Sequence, residues 1–189
     1  KVADEFAKKF SDKARNLPLG DPRKPEPVVL GSVIGMSTVQ HCNALVDDAL
    51  AKGARLLCGG KADSTLMPAT VLDHVTPAMR IYHEETFGPV KCIVRVKGVE
   101  EAVACANDNE YGLSSAVFGG DIARAFNVAR RIDSGICHVN GPTVHDEAQM
   151  PFGGVKGSGM GRFGGKAGVA EFTELRWITL QTTPRHYPF

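Results

Sequence analysis

The segment Tyr82–Val90 carries two adjacent carboxylates, Glu84 and Glu85, followed by Phe87 and a Gly-Pro pair. It leads into an apolar stretch that predicts a β-strand. A carboxylate held at a loop-to-strand junction can accept two hydrogen bonds from a vicinal diol such as a ribose, and the nearby ring offers a flat apolar face. Because glutamate is rarely buried, two adjacent carboxylates more often mark a solvated turn. Both interpretations stay open on these residues alone.

The glycine-rich segment Pro151–Gly164 ends in a literal G-x-G-x-x-G match that begins at Gly159. A dinucleotide-binding fingerprint must leave a strand and open a helix. Residues 151–158 do not predict a strand, so we reject the match as a phosphate-binding loop. The glycines are expected to let this loop lie close against a neighbouring backbone. A self-contained nucleotide-binding protein built on the match remains a minor alternative.

The polar cluster His145, Asp146 and Glu147 contains residue types that bind metals or exchange protons. Adjacent residues do not converge on one face of a chain segment. A solvated polar turn is therefore the favoured interpretation, and no metal ligand set is predicted.

The five cysteines are odd in number and include no CxxC pair. This argues against a disulfide framework or a zinc site and favours a reducing, cytoplasmic compartment. A catalytic cysteine needs a lowered pKa and an exposed position. Cys58, at a predicted strand end, is expected to be structural. Four others lie in predicted strands or on helix faces and are expected to pack in the core: Cys42, Cys92, Cys105 and Cys137.

Two helices are predicted in the first part of the chain. Apolar residues at four-residue spacing from Val2 to Ala14, including Phe6 and Phe10, predict an amphipathic helix. A second helix is predicted with Ser37 as its N-cap and Gly53 at its end. Its apolar stripe comprises Val39, Cys42, Leu45, Val46, Ala49 and Leu50. The segment Leu66–Val75 is expected to be extended.

From Val90 onward, predicted strands alternate with helices. The strands are Val90–Val96, Leu113–Phe118 and Ile136–Asn140, separated by a helix over Val99–Ala106 and by another capped at Asp121. The apolar face of that second helix is predicted as Ile122, Phe126, Ala129 and Ile132. This order implies parallel strands with right-handed crossovers. We therefore predict an α/β fold with a doubly wound parallel sheet.

The chain after Asn140 loses its periodicity until a short predicted helix at Ala167–Phe172 and a predicted strand at Glu174–Gln181. A strand near the terminus with an unpaired edge would be prone to aggregation. We therefore expect Glu174–Gln181 to join the sheet of a partner subunit in a homo-oligomer, a dimer or a tetramer.

Composition excludes several classes of partner. The 189 residues are 43% hydrophobic and 23% charged, with a net charge of +1. A net charge this close to zero does not indicate binding to nucleic acid or to a membrane surface. No apolar run is long enough to span a bilayer. We expect neither a nucleic-acid nor a membrane partner.

Together, the motifs Glu84–Pro89 and Pro151–Arg162 resemble those of the NAD(P)-dependent aldehyde dehydrogenases. The resemblance covers essentially the whole chain and maps it to the C-terminal part of the catalytic domain plus an oligomerisation strand. It implies that Glu85 binds the nicotinamide ribose hydroxyls of NAD or NADP and that Phe87 packs near the cofactor. Glu84 is then expected to be structural and not to bind the cofactor.

The same resemblance implies a substrate tunnel lined by the loop after Asn140, with Val144 and His145, and by Phe152. The loop and the tail resemble family members that act on aromatic aldehydes, the vanillin, benzaldehyde and salicylaldehyde dehydrogenases. The expected substrate is a small-molecule aldehyde. The implied segments are 1–140, a partial catalytic domain; 141–172, the tunnel and glycine-rich loops; and 173–189, the oligomerisation strand and tail.

The family reaction, in which a cysteine thiolate attacks the aldehyde and the adduct loses hydride to the cofactor, needs residues that the resemblance places outside this chain. No cysteine stands in the family's Gly-Gln-x-Cys context, so no catalytic residue is predicted here. The chain opens without Met and is interpreted as a fragment that is inactive alone. The alternative is a non-catalytic α/β assembly module that pairs with a full-length subunit.

Overall fold

A computed structural model describes residues 2–188 of the chain. It divides into two compact units, Lys1–Glu101 and Ala102–Phe189. Each unit is described by itself. None of the helices in the described range is both long and apolar enough to cross a membrane.

The first unit packs three helices against one mixed sheet. Its elements in chain order are α1 (Ala3–Arg15), α2 (Met36–Ala51), β1 (Arg55–Cys58), β2 (Thr70–Asp73), α3 (Arg80–His83) and β3 (Val90–Cys92). The sheet order is β1-β2-β3, with β1 antiparallel and β3 parallel to β2. The predicted extended segment Leu66–Val75 contains the central strand, Thr70–Asp73, and the strand predicted to reach Val96 ends at Cys92.

Helix α2 supplies much of the first core. Its predicted stripe is buried from Val39 to Ala49, whereas Leu50 at the end of the stripe is exposed. The predicted N-cap Ser37 is wrong, because the helix already begins at Met36 after an extended Gly35. At the other end, Gly53 takes a positive φ and its N–H donates to the Leu50 carbonyl, as the predicted stop requires.

Helix α1 forms where predicted, and the second half of its predicted stripe packs in the core whereas the first half is exposed. Its buried residues are Ala7, Ser11 and Ala14, and Phe10 packs at the edge of that core, whereas Phe6 is exposed. A step of four residues overshoots one helical turn by about 40°. A stripe read at constant four-residue spacing therefore drifts off the buried face.

The second unit holds α4 (Val99–Asn107) for most of its length, β4 (Tyr111–Gly112), β5 (Ser114–Val117), α5 (Ile122–Ala129), β6 (Ile136–Val139), β7 (Val155–Lys156) and α6 (Gly165–Glu171). Strands β5 and β6 pair in parallel, as the predicted crossover requires. Strands β4 and β7 form a separate antiparallel pair. The predicted helices near Val99–Ala106 and Ala167–Phe172 are confirmed within a few residues.

The predicted doubly wound parallel sheet is wrong, although the α/β class is confirmed. Within residues 2–188 the strands form three small sheets, and β3 pairs with β2 instead of joining β5 and β6. Periodicity identifies where strands lie, but pairing depends on contacts between residues far apart in the chain. The antiparallel pairs of β1 with β2 and β4 with β7 were not foreseen.

Helix α5 shows the same contrast between local and long-range signals. Asp121 caps it as predicted, since its Oδ1 accepts a 3.0 Å hydrogen bond from the Arg124 N–H. The predicted apolar face is confirmed at Ala129, which is buried together with Ala125, and is wrong at Ile122 and Phe126, which are 68% and 55% exposed. Two alanines let the helix lie close to its sheet, and the larger side chains turn away.

The predicted terminal strand does not form in this single chain, and its pairing with the sheet of a partner subunit stays a prediction. Residues 174–181 form no strand in the part of the chain that the structure describes, and all are exposed. A strand exists only through hydrogen bonds to a neighbouring strand. The described residues provide no such neighbour for Glu174–Gln181.

Candidate functional site

The first candidate site lies in the loop that joins α3 to β3. Glu84 closes α3 through a two-pronged ion pair with Arg80, at 2.7 Å from Nε to Oε1 and 2.8 Å from Nη2 to Oε2. The hydrogen bonds from Arg80 hold the pKa of the Glu84 carboxyl below its usual range. This pairing agrees with the structural role predicted for Glu84.

Two side chains of helix α2 hold the backbone carbonyls of Glu85 and Thr86. His41 Nε2 lies 2.9 Å from the carbonyl oxygen of Glu85, which it can approach only as a donor. The thiol of Cys42 donates to the carbonyl of Thr86 at 3.2 Å. The main chain of Glu85 is therefore anchored while its carboxylate stays exposed. Burial raises the pKa of the Cys42 thiol, so this sulfur is a donor and not a nucleophile.

Phe87 adopts a backbone conformation that is rare for its type. Its φ is +45°, and its side chain is 81% exposed. A bulky residue in the left-handed region costs about 1–3 kcal/mol, and such strain clusters at ligand sites. This strained backbone places the large aromatic ring of Phe87 in solvent, near the Glu85 carboxylate.

Glu85 and Phe87 line one open cavity of about 420 Å³. Helix α2 provides the opposite side of the cavity through Ser37, Thr38 and His41. Those three residues were not predicted as site residues, although Ser37 and His41 are four apart and so share a helix face. The cavity thus combines a carboxylate, three hydroxyl-bearing residues, an imidazole and an aromatic ring, a set suited to a ligand with a diol and a flat ring.

The second candidate site lies between β6 and the loop that follows it. A cavity of about 400 Å³ is lined by Gly135, Ile136, Cys137, His138, His145, Asp146, Glu147, Met150, Pro151 and Phe152. The predicted tunnel residues His145 and Phe152 therefore share one cavity. Val144 is 91% exposed and lies outside the lining.

Two lining residues come from β6 and were not predicted as site residues. Cys137 was expected in the core, but it is half-buried and faces the cavity. His138 follows it and meets the ring of His145 edge-on, with ring centroids 5.4 Å apart. A histidine inside the otherwise apolar strand Ile136–Val139 is a signal that could have drawn attention to this strand.

Both ends of the loop are held by hydrogen bonds. At its start, the Asn140 amide accepts from the Gly119 N–H at 2.8 Å and donates to the Gly119 carbonyl at 3.0 Å. At its end, Phe152 and Phe163 exchange two backbone hydrogen bonds of 2.8 and 2.7 Å. In between, His145 Nε2 lies 3.4 Å from Glu147 Oε1, and the described residues bring no third metal-ligating side chain to this pair.

The glycines of the block after Phe152 serve close backbone approach, as predicted. Gly164 has φ +88°, and a β-carbon there would lie 2.1 Å from the Met150 carbonyl oxygen. One at Gly165 would lie 2.5 Å from the Gln149 carbonyl oxygen. The expectation that no strand precedes the G-x-G-x-x-G match is wrong by two residues, since Val155–Lys156 forms β7. Of the glycines of the match, Gly164 packs against backbone and Gly161 against the Glu171 carboxylate, and α6 after the match has only seven residues.

The remaining cysteines only partly follow prediction. Cys58 ends β1 and is buried, as expected, and Cys42 is buried in α2. Cys92 is exposed, so its predicted core position is wrong. In β3 only Val90 is buried, because this strand has a partner on one side and turns its later residues outward. Cys105 on α4 is half-buried.

Known proteins resemble this chain along its length. The sequence profile of the aldehyde dehydrogenase family matches residues 1–178. The vanillin dehydrogenase of Pseudomonas sp. (strain HR199 / DSM 7063) is 56% identical over 187 residues, covering 99% of this chain and 39% of that protein. The salicylaldehyde dehydrogenase of Pseudomonas sp. (strain C18) is 50% identical over 189 residues, covering 100% and 39%. The chain thus spans about two fifths of the length of the curated relatives it matches.

Solved structures share the fold. The salicylaldehyde dehydrogenase of Pseudomonas putida G7, complexed with salicylaldehyde, gives a TM-score of 0.94 at 48% identity, covering 100% of this chain and 39% of that one. The NADP-dependent glyceraldehyde-3-phosphate dehydrogenase of Bacillus halodurans C-125, complexed with NADP, gives 0.84 at 38% identity, covering 89% and 35%. A Mycobacterium tuberculosis aldehyde dehydrogenase complexed with NAD+ gives 0.84 at 31% identity, covering 92% and 36%.

These matches confirm the family resemblance that the two motifs predicted. They do not confirm the predicted placement in the C-terminal part of the family's catalytic domain. With a family profile matched over residues 1–178, the chain belongs to the aldehyde dehydrogenase family.

Proposed function

We propose that this chain is part of an enzyme that oxidises an aromatic aldehyde to a carboxylic acid with NAD or NADP. Relatives named vanillin and salicylaldehyde dehydrogenase, at 56% and 50% identity, support an aromatic substrate. Solved family members complexed with NADP and with NAD+ confirm the predicted cofactor class at the level of the family. The observation that carries the proposal is the exposed Glu85 carboxylate beside the strained, exposed ring of Phe87.

The cavity at Glu85 fits the ribose end of a dinucleotide. Two carboxylate oxygens can accept the two hydroxyls of a ribose, and the anchored Glu85 carbonyl keeps the carboxylate from moving with the loop. Phe87 offers its face to an adjacent flat ring. When bound, the nicotinamide accepts the hydride that the aldehyde loses. Glu85 and Phe87 then bind and orient the cofactor.

The cavity beside β6 is proposed as the aldehyde site. Its volume of about 400 Å³ lies in the range of small-molecule sites, and Ile136, Met150 and Phe152 give it apolar walls. His145 lines it, and Val144 is proposed to reach the tunnel from the same loop. Apolar walls with a few polar groups suit an aromatic ring that carries polar substituents.

In this proposal the chain binds and orients but does not supply the nucleophile. Residues 1–140 form part of the catalytic domain, 141–172 the tunnel and glycine-rich loops, and 173–189 the tail. The reaction needs a thiolate, and Cys42 is held as a neutral donor by burial. The isolated chain is proposed to be inactive. A cytoplasmic location is part of the proposal, because the cysteines are odd in number and include no CxxC pair.

The proposed function is tested by measuring NADH or NADPH production with benzaldehyde and vanillin. The isolated chain should give no turnover, and the full-length enzyme should oxidise both aldehydes. Turnover by the isolated chain would mean that one of its own groups acts as the nucleophile. A full-length enzyme that oxidises neither aldehyde would overturn the aromatic substrate class.

The role of Glu85 is tested in the full-length enzyme by Glu85→Gln. Losing hydrogen bonds to a charged acceptor costs about 1.5–3 kcal/mol, so the KM for the cofactor should rise about tenfold or more, or hydride transfer should slow by a similar factor. The matched control is Glu84→Gln, which changes an adjacent carboxylate that pairs with Arg80. Equal effects of the two substitutions would contradict the assignment.

We also propose that the enzyme is a homo-oligomer built through Glu174–Gln181. Four apolar side chains of this segment, Leu175, Trp177, Ile178 and Leu180, are 73–105% exposed. An apolar segment of this kind marks an interaction site, and an extended segment can add to a partner's sheet. Sedimentation of the full-length enzyme should give a dimer or tetramer, and Trp177→Glu should weaken it. A monomer at micromolar concentration would contradict the proposal.

A further inference from the structure

One buried polar atom stands out in the second cavity. Within residues 2–188, the single buried side-chain nitrogen or oxygen that lacks a hydrogen-bond partner is Nε2 of His138. Buried polar groups are nearly always hydrogen-bonded, because an unsatisfied one costs about 1–3 kcal/mol. We therefore expect a hydrogen-bond partner for Nε2 of His138 that is not one of these residues.

The position of His138 indicates where that partner would come from. It lies on β6 and lines the cavity proposed for the aldehyde, together with Phe152 and Met150. The ring of His145 stands edge-on against it, at an interplanar angle of 86°. His145 belongs to a loop whose residues 142–150 are all exposed. A change of the His145 rotamer would therefore open His138 to the cavity without disturbing a packed core.

The chemistry of the lining narrows the choice of partner. A neutral imidazole nitrogen can pair with a hydroxyl in either sense, because a hydroxyl both donates and accepts. An anionic substituent would instead meet Asp146 and Glu147 in the same lining. A neutral ring hydroxyl fits both requirements, and Ile136, Met150 and Phe152 accommodate the aromatic ring.

We propose that His138 is a specificity-determining residue that hydrogen-bonds a ring hydroxyl of a hydroxylated aromatic aldehyde, with His145 as the side chain that gives way to it. This inference rests on the proposed function and narrows its substrate class. A site built to hydrogen-bond a hydroxyl discriminates strongly against the analogue that lacks it, whereas an apolar site barely responds to an added hydroxyl. His138 thus gives the cavity a preference that its apolar walls cannot provide.

The test uses the full-length enzyme and its His138→Phe variant, which keeps a ring but removes both nitrogens. Values of kcat/KM are compared for 2-hydroxybenzaldehyde, 4-hydroxybenzaldehyde and benzaldehyde. We expect the ratio of kcat/KM for at least one hydroxylated aldehyde to kcat/KM for benzaldehyde to fall about tenfold or more. His138→Gln keeps a side-chain donor and should restore much of the preference. His145→Ala should retain the preference, because it removes only the cover.

The outcomes separate this inference from the proposed function. If the wild-type enzyme oxidises no aromatic aldehyde, the proposed function fails. If it oxidises all three and His138→Phe lowers them equally, the inference fails and the proposed function stands. If His138→Phe does not fold, competitive inhibition of the wild type and of His138→Gln by phenol and toluene decides. Phenol should inhibit both enzymes more strongly than toluene does. Equal inhibition by phenol and toluene would overturn the proposal.

Discussion

Gly88 offers a direct test of how α2 shapes the candidate cofactor site. A β-carbon added at Gly88 would lie 2.6 Å from Cys42 Sγ, well inside van der Waals contact. Cys42 is fully buried, and its thiol donates to the Thr86 carbonyl, so the sulfur cannot swing aside without losing that bond. Overpacking of this kind costs about 1–3 kcal/mol. Gly88→Ala should lower the free energy of unfolding by about that amount.

The same substitution should also affect function. The segment that must shift carries Glu85 and Phe87, so the KM for the cofactor should rise with the loss of stability. Both quantities are measured on the full-length enzyme, by denaturant unfolding and by initial rates. Cys42→Ala removes the clashing sulfur, and the double variant should recover most of the loss. The two sites should therefore show a coupling energy of about 0.5–3 kcal/mol in a double-mutant cycle.

Gly120 provides the matched control. A β-carbon at Gly120 would meet nothing within 4 Å, and its φ is not in the left-handed range. Gly120→Ala should be neutral or stabilise by about 0.4–1 kcal/mol through the unfolded chain. A Gly88→Ala enzyme as stable as the wild type would refute the reasoning. Simple additivity of Gly88→Ala and Cys42→Ala would refute it as well.

Three further predictions follow from the described contacts. Phe87→Gly should leave stability unchanged or raise it by about 1 kcal/mol in denaturant unfolding, because it relieves the φ of +45°, yet it should raise the cofactor KM. Asp121→Ala should cost about 1 kcal/mol by removing the α5 cap, as urea unfolding would show. The hydrogen bonds from Arg95 lower the pKa of Asp73. The ionised Asp73 therefore contributes fully to the free energy of unfolding above about pH 4, and this contribution is lost as the pH falls further. Acid unfolding of Arg95→Met should lack that part of the pH dependence.

Local signals in the sequence were enough to locate most elements. The α2 stripe was predicted correctly from Val39 to Ala49, because one face of that helix carries nearly all of its apolar residues. In helix α5 the same approach placed Ala129 correctly, but Ala125 is buried where Ile122 and Phe126 were expected. Which apolar face is buried depends on how closely the sheet approaches, and that distance is not encoded in periodicity.

The candidate sites divide in the same way. The Glu85–Phe87 loop was found because its residues are adjacent in the chain. Its anchor His41 was missed because the contact spans 44 residues of sequence. His138 was missed because one polar residue in a short strand is a weak signal until the cavity around it is known. Contacts between distant parts of the chain are the common element in what was missed.

The loop after β6 is pinned at both ends while its middle stands free of the packed core. Asn140 holds one end to Gly119, and the Phe152–Phe163 pair holds the other. Residues 143–149 can therefore be substituted together without loss of either anchor, because neither anchor depends on their side chains. Under the proposed function, substitutions at these seven positions change the aldehyde site while the contacts of the supporting sheet stay the same.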